Sequence, residues 1–166
     1  MDTQAIIRFI ADGAVVPIVL LAGFSLLFYI PKGQRLDAYK RIVLVGMTTY
    51  LLAKLLGSVY QPADMRPFEM LGVSAGALYL NNPGFPSDHA LFTTFLTLAV
   101  WFETRRRDIA IVLAVLTLLV CVGRVLALVH TPLDVVGGVL VACLGALWYV
   151  QGSEIAPIRK KHKRAV

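Results

Sequence analysis

Charge is what this chain has least of, and acidic charge above all. Asp, Glu, Lys and Arg make up 16% of 166 residues, and ten acidic side chains face sixteen basic ones. A soluble domain carries about a quarter charged residues, so an ordinary water-facing surface is excluded. Cysteine is almost missing. Cys121 and Cys143 both fall inside apolar runs, where a small sulfhydryl packs well, so no disulfide is expected. The opening Met1 to Asp12 lacks a basic leader and a small-residue cleavage site, because Asp2, Arg8 and Asp12 interrupt it. A cleavable signal peptide is therefore not expected there; a short amphipathic lead-in or an extension of the first helix is. No internal repeat is found, which counts against a transporter built from paired halves.

Apolar residues are what is abundant. They reach 58% of the chain, with a mean hydropathy of +0.74. They gather in Ala14 to Ile30, Ile42 to Tyr60 with one Lys, Pro86 to Phe102, Ile109 to Val129 with one Arg, and Thr131 to Val150 with one Asp. At about 1.5 Å per residue each run crosses or nearly crosses a hydrocarbon core of roughly 30 Å. The third is the weakest, since its uninterrupted apolar part begins at Ala90. A chain this small has no means of hiding five such helices from water in a soluble fold. The expected architecture is an all-α integral membrane bundle of about five transmembrane helices, a single domain over residues 1–166 with a short basic cytoplasmic tail from about 156.

The basic residues orient the bundle. Lys32, Arg35, Lys40 and Arg41 lie in the first loop, Arg105, Arg106 and Arg107 in a later one, and Arg159, Lys160, Lys161, Lys163 and Arg164 in the tail. With five spans these fall on one side, the cytoplasm by the positive-inside rule, leaving the N-terminus outside and the C-terminus inside. Short juxtamembrane clusters with no binding module beside them fit anionic lipid headgroups, and nucleic acid is not an expected partner.

Outside those clusters the basic residues are Arg8, Lys54, Arg66 and Arg124. On the expected topology the last three share the outer face with Asp64, Glu69, Asp88, His89, His130 and Asp134. Ionisable groups in or near hydrocarbon usually serve a site or a partner. Several Lys and Arg donors can neutralise phosphate oxygens and the charge that grows in their transition state. Pro86-Ser87-Asp88-His89 leads into an apolar helix, so Ser87 or Asp88 can cap it while free amides point at an anion. His130-Thr131-Pro132-Leu133-Asp134 opens the next helix in the same manner. Its i,i+4 spacing puts His130 and Asp134 on one face, where the carboxylate can fix the imidazole tautomer and stabilise its cation. His130 is then a candidate nucleophile and His89 a candidate proton donor to the leaving oxygen.

Structural roles stand beside these. Lys54 could snorkel to headgroups, Arg66 and Glu69 could form a solvated loop pair, and Arg124 could pair with Asp134 to join two helices. His89 and His130 could be satisfied structural histidines, Ser87 only a cap, and Asp64 a loop charge. The His130/Asp134 pair alone would also allow a metal site, but carboxylate ligands are sparse and nearby cations would repel the ion. A non-catalytic lipid-binding or transport protein that keeps an anion pocket is the reading from another class.

Lys54 with Arg66-Pro67, then Pro86-Ser87-Asp88-His89, then Arg124-x5-His130-x3-Asp134 resembles the signature of the type 2 phosphatidic acid phosphatase (PAP2) superfamily. The likeness covers roughly Ala53 to Val141. It implies that Lys54, Arg66 and Arg124 bind phosphate with Ser87 as a further contact, that His89 is the general acid, and that His130 attacks phosphorus with help from Asp134. It implies no metal and no cofactor. Eleven residues separate Lys54 from Arg66, more than is usual in the family; Asp88 stands where Gly is common, Gly123 where Ser is common, and many members have one more span. Arg66-Pro67-Phe68 followed by Phe85-Pro86-Ser87-Asp88-His89-Ala90 resembles the branch that removes a phosphate from undecaprenyl diphosphate and is linked to bacitracin resistance. That branch implies a polyprenyl diphosphate or another lipid phosphate as substrate, membrane lipids as surroundings, and an active site facing out of a bacterial cytoplasmic membrane.

Overall fold

The computed structural model describes residues 2–63, 65–82 and 84–155. Asp64 and the basic tail lie outside the described residues. Within them the regular structure is helical, with no strand.

Four helical runs are long and apolar enough to cross a membrane, consistent with a multi-pass membrane protein. They are α1 (Thr3–Phe28), α2 (Lys32–Val59), α4 (Arg107–Leu126) and a fourth, Pro132–Gln151, in which α5 (Pro132–Leu144) passes into α6 (Ala146–Ile155). Between α2 and α4 lies α3 (Asp88–Glu103). Where five spans were expected, the third in line is thus a shorter helix. Its 16 residues reach about 24 Å, short of a full hydrocarbon core. It packs on α1, α2, α4 and α5. Its buried residues include Ala90, Thr93, Thr94 and Ala99, small side chains of the kind that let membrane helices approach closely.

The opening segment is an extension of the first helix rather than a separate lead-in. Asp2 caps it by accepting from the N–H of Gln4 at 3.3 Å, and the chain stays helical through a π-turn over Phe9–Gly13. That turn is closed by the Ala14 N–H on the Phe9 carbonyl at 3.0 Å.

The starts of α3 and α5 explain how the site is held. Ser87 caps α3, its Oγ accepting from the Ala90 N–H at 3.5 Å. Thr131 caps α5 with Pro132 in the first turn: Thr131 Oγ1 accepts from the Asp134 N–H at 3.2 Å, and Asp134 Oδ2 accepts from the Thr131 N–H at 2.7 Å. This reciprocal box satisfies two donors that the helix start would otherwise leave unpaired. The two starts cross closely because of Gly138, where an added Cβ would stand 2.5 Å from the Ser87 carbonyl oxygen and 3.0 Å from the Leu91 nitrogen.

At the opposite end, Arg41 makes two 2.7 Å bonds to the buried Glu103, joining α2 to α3. Arg106 lies 4.6 Å over the Tyr29 ring and Arg107 5.1 Å over Trp101. Guanidinium groups resting on aromatic rings suit a membrane interface.

Candidate active site

The α4–α5 connection carries the densest group of candidate residues. After α4 ends, Leu128 takes a left-handed conformation at φ 59°, unusual for a residue with a Cβ. The reversal brings the next two N–H groups back over the helix: those of Val129 and His130 both reach the Arg124 carbonyl, at 3.3 and 3.4 Å. Arg124 and His130 are therefore tied through one backbone oxygen.

His130 is 6% exposed, and its Nδ1 stands 3.6 Å from Asp134 Oδ2. This is an ion-pair distance, longer than a hydrogen bond. Asp134 Oδ2 is meanwhile anchored by the Thr131 N–H, so the carboxylate that faces the imidazole is fixed by the cap of its own helix. Burial pushes the His130 imidazole below its usual pKa, the Asp134 carboxylate opposes that shift, and the charges of Arg124 and Arg66 add to it. Near neutral pH the ring is held uncharged, the form with a lone pair to offer.

Arg66 and Arg124 close around this histidine. Arg66, 8% exposed, donates from Nη1 to the Val129 carbonyl at 2.6 Å, one residue before His130. Its Nη2 donates at 3.1 Å to the carbonyls of Leu80 and Asn82 and to Asn82 Oδ1. It does not form the side-chain pair with Glu69 that stood as the structural alternative to phosphate binding. That carboxylate accepts instead from the Arg66 backbone N–H at 2.7 Å, in the cap of a single helical turn over Pro67–Met70. Arg124, 1% exposed, pairs with Asp12 rather than Asp134: Nη1 donates to Asp12 Oδ1 at 2.7 Å and to the Leu78 carbonyl at 2.8 Å. The alternative of an Arg124–Asp134 tie between helices is corrected by this geometry, because Asp134 is taken up by Thr131 and His130.

His89, half-buried at the start of α3, lies within electrostatic reach of Arg124, Asp12 and His130. The histidines therefore face one cationic region from two helix starts. Ser87 is fully buried with its Oγ engaged as the cap. Lys54 stands apart from the arginine pair. Its side chain is 43% exposed, and Nζ is held by Asp88 at 2.9 and 3.0 Å. Asp88, in the position where Gly is common, supplies its counter-charge. A cavity of about 380 Å³ opens beside the group, lined by Arg66, Glu69, Asn82, Thr131 and Asp134 among others. Among the described residues no group of three or more His, Cys, Asp and Glu is arranged to hold a metal ion.

Sequence reasoning missed Asp12 and the Leu78–Asn82 strap. Asp12 carried a signal, an acidic residue at the head of a long apolar run. The strap's carbonyls carried none, since every residue has one.

A neutral buried imidazole beside a fixed carboxylate, with a second histidine and two arginines around it, can attack an anionic phosphorus and protonate what leaves. Comparison with known proteins bears on this arrangement. The sequence profile of the PAP2 superfamily matches residues 38–156, a stretch that holds every candidate site residue. The chain belongs to the PAP2 superfamily. The chain is also similar to a protein of Sulfolobus acidocaldarius named undecaprenyl-diphosphatase, at 32% identity over 148 residues, covering 80% of this chain and 66% of that relative. No solved structure matches the chain.

Proposed function

We propose that this PAP2 protein removes the terminal phosphate of undecaprenyl diphosphate, without a metal, through a phosphohistidine at His130. The observation that carries the reading is the His130/Asp134 pair, buried at 3.6 Å with Arg66 and Arg124 bound to the backbone around it. The named activity of the archaeal relative supports the choice of lipid.

The diphosphate enters the cationic region from the outer side while the polyprenyl tail stays in the membrane. His130 Nε2 attacks the terminal phosphorus in line, and the P–O bond to the lipid monophosphate breaks. His89 gives its proton to that departing oxygen. Water then attacks the phosphohistidine, His89 takes a proton from it, and orthophosphate leaves with His130 restored. Asp134 stabilises the imidazolium formed in the first step. Arg124 and Arg66 neutralise the equatorial oxygens, with Ser87 at the helix start and Lys54 at the flank as further phosphate contacts. Fixed cations and helix-start amides thereby perform the electrostatic stabilisation that a metal performs elsewhere.

The test is phosphate release by purified protein in detergent with chelator present. Undecaprenyl diphosphate should be hydrolysed with a higher kcat/KM than phosphatidate. A reversed preference would make the protein a phosphatase of phosphatidate, phosphatidylglycerophosphate or another lipid monoester. Lipid redistribution without phosphate release would make it a transport protein.

A further inference from the structure

Arg124 is the most enclosed charged side chain described, and its bonds are lopsided. Nη1 has two acceptors, Asp12 Oδ1 at 2.7 Å and the Leu78 carbonyl at 2.8 Å. Nε is buried with no acceptor at all. A guanidinium 1% exposed with one of its donors unpaired is destabilised unless that donor meets a ligand. The Nε side of an arginine is one of those that bind phosphate in a bidentate manner.

Asp12 does more than balance the charge. Its second oxygen, Oδ2, accepts from the Leu78 N–H at 2.9 Å. Arg124, Asp12 and the two backbone groups of Leu78 thus form a closed ring joining α4, α1 and the strap above the site. Two features of the chain serve this contact. Asp12 stands in the π-turn of α1, and π-turns inside α-helices are rare and frequently occur at functional sites. The residue before Arg124 is Gly123, where a Cβ would lie 2.8 Å from the Ala11 nitrogen and 2.9 Å from its Cα. Only a residue without a Cβ lets the π-turn lie this close to α4, one position from the arginine.

We propose that Asp12 is a positioning residue for phosphate binding: it fixes the Nη1 side of Arg124, through the ring with Leu78, so that the Nε side stays free for the substrate's phosphoryl oxygens. This rests on the phosphatase reading above. It also accounts for Gly123 standing where Ser is common in the family, as the partner in α4 of an aspartate in α1. Asp12 touches no reacting atom. It acts through Arg124.

The experiment compares wild type, Asp12→Ala, Asp12→Asn and the control Asp2→Asn, using phosphate release and inhibition by orthovanadate. Elution profile and melting temperature establish the folded fraction. Asp12→Ala should lose about 100-fold in kcat/KM, the scale expected for a displaced catalytic donor. Its vanadate inhibition constant should rise at least about tenfold, since a bond to a charged group is weakened. Asp12→Asn keeps an oxygen for Nη1 but no second acceptor for Leu78, and should fall between. Asp2→Asn should match wild type. Folded Asp12 variants with a lower melting temperature but unchanged vanadate affinity would overturn the proposal, leaving Asp12 a structural tie. Tighter vanadate binding would also overturn it and make Asp12 an anion that competes with substrate. Wild type that neither releases phosphate nor responds to vanadate would overturn the phosphatase reading itself.

Discussion

The backbone N–H of Ser87 donates to the carbonyl oxygen of Asp134 at 2.9 Å. One bond thereby joins the helix start that carries His89 to the helix start that carries His130. One residue lies between Ser87 and His89 and three between His130 and Asp134, so the separation of the histidines is set by backbone rather than by flexible side chains. A site that moves a proton and a phosphoryl group between two imidazoles requires such fixed spacing.

The histidines should be separable by their covalent chemistry. His130→Ala should form no phosphoenzyme. His89→Ala should keep the nucleophile and accumulate phosphohistidine with an activated leaving group, which needs less help from an acid. Asp134→Asn should slow attack by about 10² to 10⁴, since it loses the charge that stabilises the imidazolium. Acid-free quenching followed by phosphopeptide mass spectrometry checks the series. Phosphorylation at His89 in folded His130→Ala would reverse the roles.

Acid should find His130 late. Because burial lowers its pKa from the ordinary 6.5, the neutral nucleophile should persist below that pH, and the limb of the kcat/KM profile set by this group should fall only at lower pH. The stability sign follows from proton counting. Below pH 6.5 the unfolded chain takes up a proton that the folded imidazole resists, so the native state loses stability as pH falls from 6.5 toward the folded pKa. Above 6.5 the two states match and the contribution vanishes. Melting curves at pH 7.5 and 5.5 should show a larger drop for wild type than for His130→Gln. Equal drops would contradict the assignment.

The helix crossing should tolerate no methyl at Gly138. Gly138→Ala places a Cβ against the Ser87 carbonyl and should destabilise the protein by about 1–3 kcal/mol, the usual range for overpacking. Gly23→Ala, with nothing within 4 Å of its Cβ position, serves as the control in the same detergent. Equal melting temperatures for both would show that α3 and α5 can separate without penalty.

Orientation can be read from Met70, exposed at the end of the Pro67–Met70 turn on the site's side of the bundle. With Cys121 and Cys143 replaced, Met70→Cys in intact cells should react with an impermeant maleimide. Labelling only after the cytoplasmic membrane is breached would place the site inside.

Long apolar runs and the two helix starts were legible in the sequence because each depends on neighbours within a few residues. Hydropathy follows from composition over about 20 positions. The Thr131–Asp134 box follows from a spacing of three, and the His130/Asp134 pair from a spacing of four. The partners of the cations were not legible in this way. Asp12 and Arg124 are 112 positions apart, and Arg66 and Val129 are 63 apart; a backbone carbonyl has no sequence identity to mark it. Lys54 matched the family pattern in residue type, yet its ammonium is held by Asp88. Which acceptor a buried cation takes was decided only when the helices packed together. Local periodicity fixes a helix and its ends, whereas pairing across helices depends on where the whole bundle brings their faces together.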